Sequence, residues 1–321
     1  MKRRISLLAA LAALGLVVVF PAEAAEAARH GLEVCAGLIV PSLFPFFVLS
    51  GLLSALGLPA ALGRALEKPM RALFSLSGQC AAPFILGLTG GYPVGAAAAA
   101  ELVRRGARPR GEAERLRAGW NNTGPAMIVG AGGSGVFGSA AVGLWLYASH
   151  AAAAVTVGLL LSPRGGGALS APLPPAPPEK FAAALTQSVR TAVGTTLNVC
   201  GFAVFFSVVI GLAECLDLFS QAAGRLAELT GCELSFARAA LYGIFELGNG
   251  VAAMRGLAAA PLNLALASFV LGFGSLSVHC QTAAVTASVD IKCARHFAGR
   301  ILHGLISALI TFVFALMLRQ S

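Results

Sequence analysis

The 321-residue sequence predicts an all-α, polytopic membrane helical bundle with two inverted repeats that contain re-entrant, broken helices. Three observations predict this fold: the composition, the succession of long apolar segments, and the Gly and Pro residues within some of those segments. Hydrophobic residues make up 57% of the chain and charged residues 12%, about half of the roughly 25% usual in soluble domains. So few charges cannot coat a soluble surface of this size. The composition therefore excludes a soluble enzyme, a disordered chain and a secreted disulfide scaffold.

Nine apolar segments follow one another, and a membrane-spanning helix needs about 20 mostly apolar residues. The segments are 5–20, 34–57, 73–100, 118–134, 136–161, 191–215, 236–255, 262–289 and 301–318. Lys2, Arg3 and Arg4 precede the first segment, which we interpret as a retained anchor helix. A secretory signal cleaved after Ala24 is the alternative, because residues 21–24 imitate a cleavage site.

Basic residues in the short loops predict the orientation of the first half. Segment 34–57 enters the cytosol, where Arg71 lies. Segment 73–100 begins there and ends at Arg104, also on the cytosolic side, so it cannot be a single crossing. Interrupted by several Gly and Pro residues, it is predicted to be a re-entrant hairpin. Segments 118–134 and 136–161 then leave the cytosol and return.

A Pro/Gly-rich stretch at 162–180 separates this half from a second one with the opposite orientation. Segment 191–215 leaves the cytosol, 236–255 forms a second re-entrant element, 262–289 returns and 301–318 exits. We therefore predict four regions. They are an N-terminal anchor helix and outer loop (1–33), a first repeat (34–161), a cytosolic linker (162–190) and a second repeat (191–321).

An internal repeat supports this organisation. A shift of 160 residues places Phe46 on Phe206 and Gly51 on Gly211. Opposed repeats with interrupted helices are typical of secondary transporters, whose binding sites lie near the bilayer midplane where the helices break.

Polar residues concentrate at four such breaks, where an unsatisfied polar group in hydrocarbon costs several kcal/mol. The predicted substrate-binding residues are Gln79, Thr89, Tyr92, Asn121, Asn122, Thr123, Glu246, Asn249, Ser277, His279 and Gln281. We expect most of them to converge on one polar cavity, with Glu246 as the residue that couples or handles the solute. The structural alternatives are a hydrogen bond from Glu246 to a neighbouring broken helix, helix capping by Asn121 and Asn122, and polar links that hold the hairpin tips together.

Other chemistries find no support in the sequence. Its seven cysteines form no CxxC pair and no zinc spacing, so we predict no metal, cofactor or disulfide. The net charge of +9 lies in short loops and is expected to orient the chain, not to bind nucleic acid. No GxSxG elbow or phosphate-binding loop occurs, which argues against an enzyme.

Several motifs resemble the sporulation integral membrane protein YlbJ family, which belongs to the wider nucleoside-recognition, or Gate-domain, group. The motifs lie at 41–50 (PSLFPFFVLS), 90–95 (GGYPVG), 121–125 (NNTGP), 245–250 (FELGNG) and 274–281 (GSLSVHCQ). They occur in the family's order and span nearly the whole chain.

The resemblance implies a membrane transporter of endospore formation. Its solute would be a small anion, dipicolinate, carried from the mother cell toward the forespore across the outer forespore membrane. Its partners would be the lipid bilayer and that solute. The sequence leaves undecided whether the chain forms a homo-oligomer. A nucleoside-type solute transporter and a non-transporting membrane organiser or sensor are the alternative functions.

Overall fold

A computed structural model describes residues 2–104, 119–162, 180–289 and 293–320, and every element in these ranges is helical. Most of the basic cluster after Arg104 and most of the predicted linker lie outside the described residues. In the described ranges, five helices are long and apolar enough to span a membrane. The predicted all-α membrane bundle is confirmed.

The first half begins with α1 (Lys2–Val19), whose Leu8, Leu11 and Leu14 side chains are more than half exposed, as expected for a helix in lipid. The following helices are α2 (Pro21–Ala55), α3 (Leu58–Ala65), α4 (Glu67–Phe74), α5 (Ala81–Gly90), α6 (Val94–Arg104), α7 (Ala126–Val136, a π-helix) and α8 (Ala140–Leu160). A 3-10 turn at Gly78–Cys80 precedes α5, and the chain leaves helical geometry at 121–124 before α7.

The second half repeats this order in the part that the structure describes. Its helices are α9 (Phe181–Cys215), α10 (Leu218–Thr230), α11 (Leu234–Phe245), α12 (Leu247–Ala253), α13 (Pro261–Phe273), α14 (Ser275–Thr286) and α15 (Cys293–Gln320). Gly274, at φ +90°, separates α13 from α14, so this segment is broken as the sequence predicts.

The predicted outer loop at 21–33 is instead helical and forms the first part of α2. Pro21 fits the first turn of a helix, and the Ala-rich residues after it have high helix propensity. The helices α2 and α9 therefore have the same length, 35 residues, and begin 160 positions apart. At 1.5 Å per residue each is roughly 52 Å long, which exceeds the roughly 30 Å hydrocarbon core.

The two long helices α2 and α9 pack side by side and run antiparallel. Gly31 contacts Ser207, the Cys35 thiol donates to the carbonyl of Cys200 at 3.7 Å, and Gly51 contacts Ser188. Residue numbers rise along one helix as they fall along the other. Because the 160-residue shift relates these two helices, the repeats are inverted, as the sequence predicts.

The last helices of the two repeats, α8 and α15, are also antiparallel neighbours. Trp145 packs on Phe314 with ring centroids 4.6 Å apart, and His150 packs on His303 at 4.3 Å. The inverted arrangement therefore holds at both ends of the repeat.

Each repeat contains a short hairpin, which the sequence predicts as the re-entrant segments 73–100 and 236–255. In the first hairpin α5 packs on α6, and a Cβ atom at Gly95 would lie 3.0 Å from the Cα of Gly87. In the second, α11 packs on α12, and a Cβ atom at Gly250 would lie 2.6 Å from the nitrogen of Gly243. Glycine at these positions lets the two arms of each hairpin approach closely.

Candidate functional site

The hairpin tips and helix breaks of both repeats surround one small cavity of about 30 Å³. It is lined by Ile39, Leu43, Tyr92, Thr123, Gly124, Met127, Val199, Glu246, Leu247, Gly248, Val278 and Gln281. Ile39 and Val199 lie close to the midpoints of α2 and α9. The cavity is therefore at mid-depth in the bundle and has room for at least one water molecule.

The tip of the first hairpin packs against the break that precedes α7. Gly91 has φ +77°, a left-handed value that glycine adopts without steric cost. A Cβ atom there would lie 2.8 Å from the backbone nitrogen of Gly124, so the two backbones need glycine to approach. The next residue, Tyr92, packs against Gly274, the break of the second repeat. The breaks of both repeats thus meet at Tyr92.

Glu246 forms the tip of the second hairpin, between α11 and α12, and is 2% exposed. Its Oε2 atom accepts a hydrogen bond of 2.7 Å from the backbone N–H of Asn249 and one of 3.2 Å from the Asn249 side chain. Asn249 also donates to the Ser207 hydroxyl of α9 at 2.8 Å. The carboxyl group therefore caps α12 and lines the cavity at the same time. A structural role for Glu246 is thus compatible with a role in handling the solute.

Two further predicted residues line the cavity, and a third supports one of them. Thr123 donates a hydrogen bond of 2.6 Å to the carbonyl of Leu271 on α13. Gln281 donates one of 3.2 Å to the Ser277 hydroxyl one turn earlier on α14. Ser277 is fully buried behind Gln281 and outside the cavity lining.

Asn121 and Asn122 are fully buried and link elements instead of lining the cavity. Asn121 accepts a hydrogen bond of 3.1 Å from the backbone N–H of Ala96 on α6 and donates one of 2.9 Å to Thr282 on α14. Asn122 accepts one of 3.0 Å from Arg300. Each asparagine therefore ties the break in the first repeat to the second repeat.

Of the eleven predicted residues, Tyr92, Thr123, Glu246 and Gln281 line the cavity, and three lie away from both the cavity and the residues that support it, which corrects the expected convergence. Gln79 lies at the base of the first hairpin, a helix length of roughly 17 Å from its tip. Thr89 is exposed on the outer face of α5 and donates to the carbonyl of Ile85. His279 is two positions from Gln281, which places it on the other side of α14, where it packs on aromatic rings. A break in the chain marks the site, but helix geometry decides which nearby polar residues face it.

Sequence reasoning missed Arg300. The topology predicted from the sequence places this arginine among the cytosolic basic residues that flank segment 301–318. The structure includes Arg300 in the apolar span Arg295–Leu318 and leaves none of its surface exposed. Its guanidinium donates to Asn122 Oδ1 and to the carbonyl of Gly272, and it lies 5.3 Å from the centre of the Tyr92 ring. One signal in the sequence could have identified it: the apolar span of the last helix, Arg295–Leu318, begins before Arg300 and therefore includes it.

Two histidines to which sequence reasoning assigns no role connect Arg300 to the helix break. His150 Nε2 accepts a hydrogen bond of 3.3 Å from the backbone N–H of Thr123. His150 Nδ1 lies 3.2 Å from His303 Nε2, and His303 Nδ1 lies 3.2 Å from Arg300 Nη1. The pair stands 153 positions apart on the equivalent helices α8 and α15. Among the described residues, no group of three or more His, Cys, Asp or Glu side chains could hold a metal ion.

The comparisons with known proteins agree with this arrangement. A nucleoside-recognition (Gate) family model matches residues 37–171. The sporulation integral membrane protein YlbJ of Bacillus subtilis (strain 168) is 30% identical over 325 residues, which cover 92% of this chain and 79% of that protein.

Solved structures of CNTnw share the fold. A single-substitution variant of CNTnw in its intermediate 3 state gives a TM-score of 0.59 at 16% identity and covers 98% of this chain and 86% of that one. The inward-facing substrate-bound state gives 0.53 at 16% identity, with coverages of 98% and 83%. Because the Bacillus relative matches across nearly the whole chain, this integral membrane protein belongs to the YlbJ family of sporulation membrane proteins.

Proposed function

We propose that the protein transports dipicolinate, a small anionic solute, from the mother cell toward the forespore across the outer forespore membrane. The observation that carries the proposal is the mid-depth cavity where the hairpin tips and helix breaks of two inverted repeats meet. Binding near the midplane between inverted repeats is typical of secondary transporters that work by alternating access. Membership of a sporulation protein family favours a solute of the spore.

The size of the cavity implies that a transport cycle includes at least one other state, in which the cavity is wider. Its volume of about 30 Å³ is far below the roughly 300–1,000 Å³ of ordinary ligand pockets. A pyridine ring with two carboxylates therefore needs the hairpin tips to move apart from α2 and α9. The conformation described above corresponds to a closed state between loading and release.

The polar groups of the cavity suit a small aromatic anion. Thr123 and Gln281 carry hydrogen-bond donors, and the aromatic ring of Tyr92 lines the same wall. Helix N-termini at the breaks add the positive end of the helix dipole. Glu246 opposes an anion, so we propose that it is protonated when the solute is bound, which would couple transport to protons.

Two other functions remain as competing hypotheses. The fold of CNTnw and the Gate-family match favour a nucleoside-type solute. A membrane organiser or sensor would move no solute. Such a protein has no need for buried polar groups at matched helix breaks. The presence of these groups therefore argues against an organiser or sensor.

Solute uptake by the full chain in proteoliposomes tests the proposal. We expect saturable uptake of dipicolinate above protein-free liposomes and no uptake of uridine or adenosine. Uptake of a nucleoside without dipicolinate would establish the nucleoside-type function. Absence of uptake for every solute, with protein that is folded and inserted, would favour the organiser.

A further inference from the structure

Arg300 is a buried cation that has no counter-ion among the described residues. An arginine side chain stays charged in proteins, and a charge inside a membrane protein costs several kcal/mol unless it is paired, hydrogen-bonded or hydrated. The partners of Arg300 are the Asn122 side chain, the carbonyl of Gly272 and the His303 ring, all uncharged acceptors. No Asp or Glu in the described ranges lies within ion-pair distance of it. The positive charge is therefore available to an anion.

The buried atoms near Arg300 that lack a hydrogen-bond partner can all donate a hydrogen. Within the described part of the chain, Arg300 Nε and Asn122 Nδ2 make no hydrogen bond. The Tyr92 hydroxyl meets no strict hydrogen-bond geometry, but Thr123 and Arg300 lie close enough to interact with it. An unpaired buried donor is costly, and Arg300 Nε and Asn122 Nδ2 are two such donors on side chains in direct contact, an excess that a native core rarely keeps.

The histidine pair adds one more donor to this excess. The Thr123 N–H and Arg300 donate into the two ends of the chain that His150 and His303 form. If both end nitrogens accept, the hydrogens of the two imidazoles lie on His150 Nδ1 and His303 Nε2, which face each other between the rings. Two neutral imidazoles carry two hydrogens, so one contact in the chain always faces donor to donor.

From this excess of donors we infer that Tyr92, Asn122 and Arg300 form a carboxylate-binding subsite next to the transport cavity, which the Tyr92 ring separates from it in this conformation. A carboxylate accepts about four hydrogen bonds and donates none, which complements these groups, whereas a nucleoside or an amide brings donors of its own. The inference rests on the proposed transport function and names the charge and hydrogen-bonding class of its solute. Arg300 supplies the charge, and Tyr92 and Asn122 supply further donors.

Tyr92 determines how a solute reaches Arg300. Its ring lines the cavity on one side and covers the guanidinium on the other. A solute in the cavity is therefore separated from Arg300 by one aromatic ring. When the hairpin tips move apart, a rotation of the Tyr92 side chain brings its hydroxyl and the guanidinium to the same carboxylate.

The test compares dipicolinate with its neutral isostere, pyridine-2,6-dicarboxamide, by calorimetric binding in detergent and by uptake into proteoliposomes. The variants are Arg300→Gln, Arg300→Lys and Tyr92→Phe, with Arg255→Gln as the matched control, because Arg255 is exposed and does not line the cavity. We expect Arg300→Gln to weaken dipicolinate binding about tenfold to hundredfold, the range for a hydrogen bond to a charged group. Binding of the dicarboxamide should change little, so the preference for the acid is lost. Arg300→Lys should keep part of the preference, and the control all of it.

The outcomes separate the subsite from the transport function. If the wild type carries dipicolinate and folded Arg300→Gln keeps the wild-type preference, the subsite is wrong and the proposed function stands. If Arg300→Gln does not fold, Tyr92→Phe and Arg300→Lys decide, and full preference in both overturns the subsite. A wild type that carries nucleosides but binds no dipicolinate overturns both proposals.

Discussion

At the scale of single residues, the described core contains two ionisable side chains, the acidic Glu246 and the basic Arg300, that are each held by neutral groups. Glu246 accepts hydrogen bonds from Asn249, and Arg300 donates to Asn122 and Gly272. In the described structure the two do not form an ion pair with each other. Holding them apart at mid-depth keeps both charges free to respond to a solute or a proton, which an internal ion pair would prevent.

Glu246→Gln separates the capping role of this residue from its charge. The glutamine carbonyl can still accept from Asn249, so we expect a melting temperature close to that of the wild type. Transport in proteoliposomes should be abolished or lose its dependence on a proton gradient, because the titratable group is gone. Glu26→Gln, at an exposed carboxylate, is the control. Full, proton-coupled transport by Glu246→Gln would reduce Glu246 to a helix cap.

His150 provides a test of stability without solute. His150→Ala removes the acceptor for the Thr123 N–H and leaves it buried, which should cost about 1–3 kcal/mol. His30 is exposed, so His30→Ala should change stability by less than about 0.5 kcal/mol. Thermal unfolding in detergent measures both variants. Equal melting temperatures would show that the histidine chain adds nothing to stability.

At the scale of elements, the two hairpins depend on glycine where their arms touch. Gly87 meets Gly95 in the first hairpin, and Gly243 meets Gly250 in the second. The close approach sets the positions of the tips, which carry Tyr92 and the carboxyl group of the cavity. Packing within a hairpin therefore has consequences for the site at its tip.

Gly250→Ala tests this packing, because the added methyl group would overlap the backbone of Gly243. We expect a loss of about 1–3 kcal/mol, the usual cost of overpacking, together with reduced transport. The control is Gly224→Ala in α10, where a Cβ atom meets nothing within 4 Å. A helix gains roughly 0.5–1 kcal/mol when an interior glycine becomes alanine, so this variant should melt higher. If Gly250→Ala were as stable as Gly224→Ala, the close contact would be absent.

At the scale of the whole molecule, the inverted repeats place the central helices α2 and α9 antiparallel, with the cavity at their midpoints. Such an arrangement lets the two repeats exchange conformations and so expose one site to either side. Each hairpin belongs to one repeat but contacts the break of the other or the long helices. Motion of one hairpin therefore changes the cavity without unfolding either repeat.

Cysteine crosslinking tests the antiparallel register. In a background whose native cysteines are replaced by alanine, Gly31→Cys with Ser207→Cys and Gly51→Cys with Ser188→Cys should both form disulfides. A Cβ atom added at each glycine would lie 3.0 and 3.3 Å from the serine Cβ atom, slightly below the roughly 3.5–4.5 Å of a disulfide, so a small shift of the helices completes the bond. Gly31→Cys with Ser188→Cys, at opposite ends of the bundle, should not react. A gel shift for that mixed pair alone would contradict the inverted arrangement.

Signals that can be seen in the sequence are enough to predict the membrane class, the two repeats, the hairpins and the position of Glu246 in the second hairpin. These signals are the length of an apolar run, the charge of the loops beside it, and Gly or Pro residues within it. Each signal can be found from a short stretch of sequence. The same signals misplaced residues 21–33 as a loop, because three glutamates there resemble a solvated connection although the Ala-rich stretch forms a helix.

Helix packing, in contrast, selects the polar residues that share the site. Arg300 reaches Asn122 across 178 positions, and His150 reaches His303 across 153. In the sequence, Arg300 resembles a loop charge and each histidine is isolated. Conversely, Gln79, Thr89 and His279 stand near helix breaks but project elsewhere. The physical reason is that a buried charge is stabilised by whatever donors and acceptors the fold brings to it, and that set is defined by contacts between the repeats, not by neighbours along the chain.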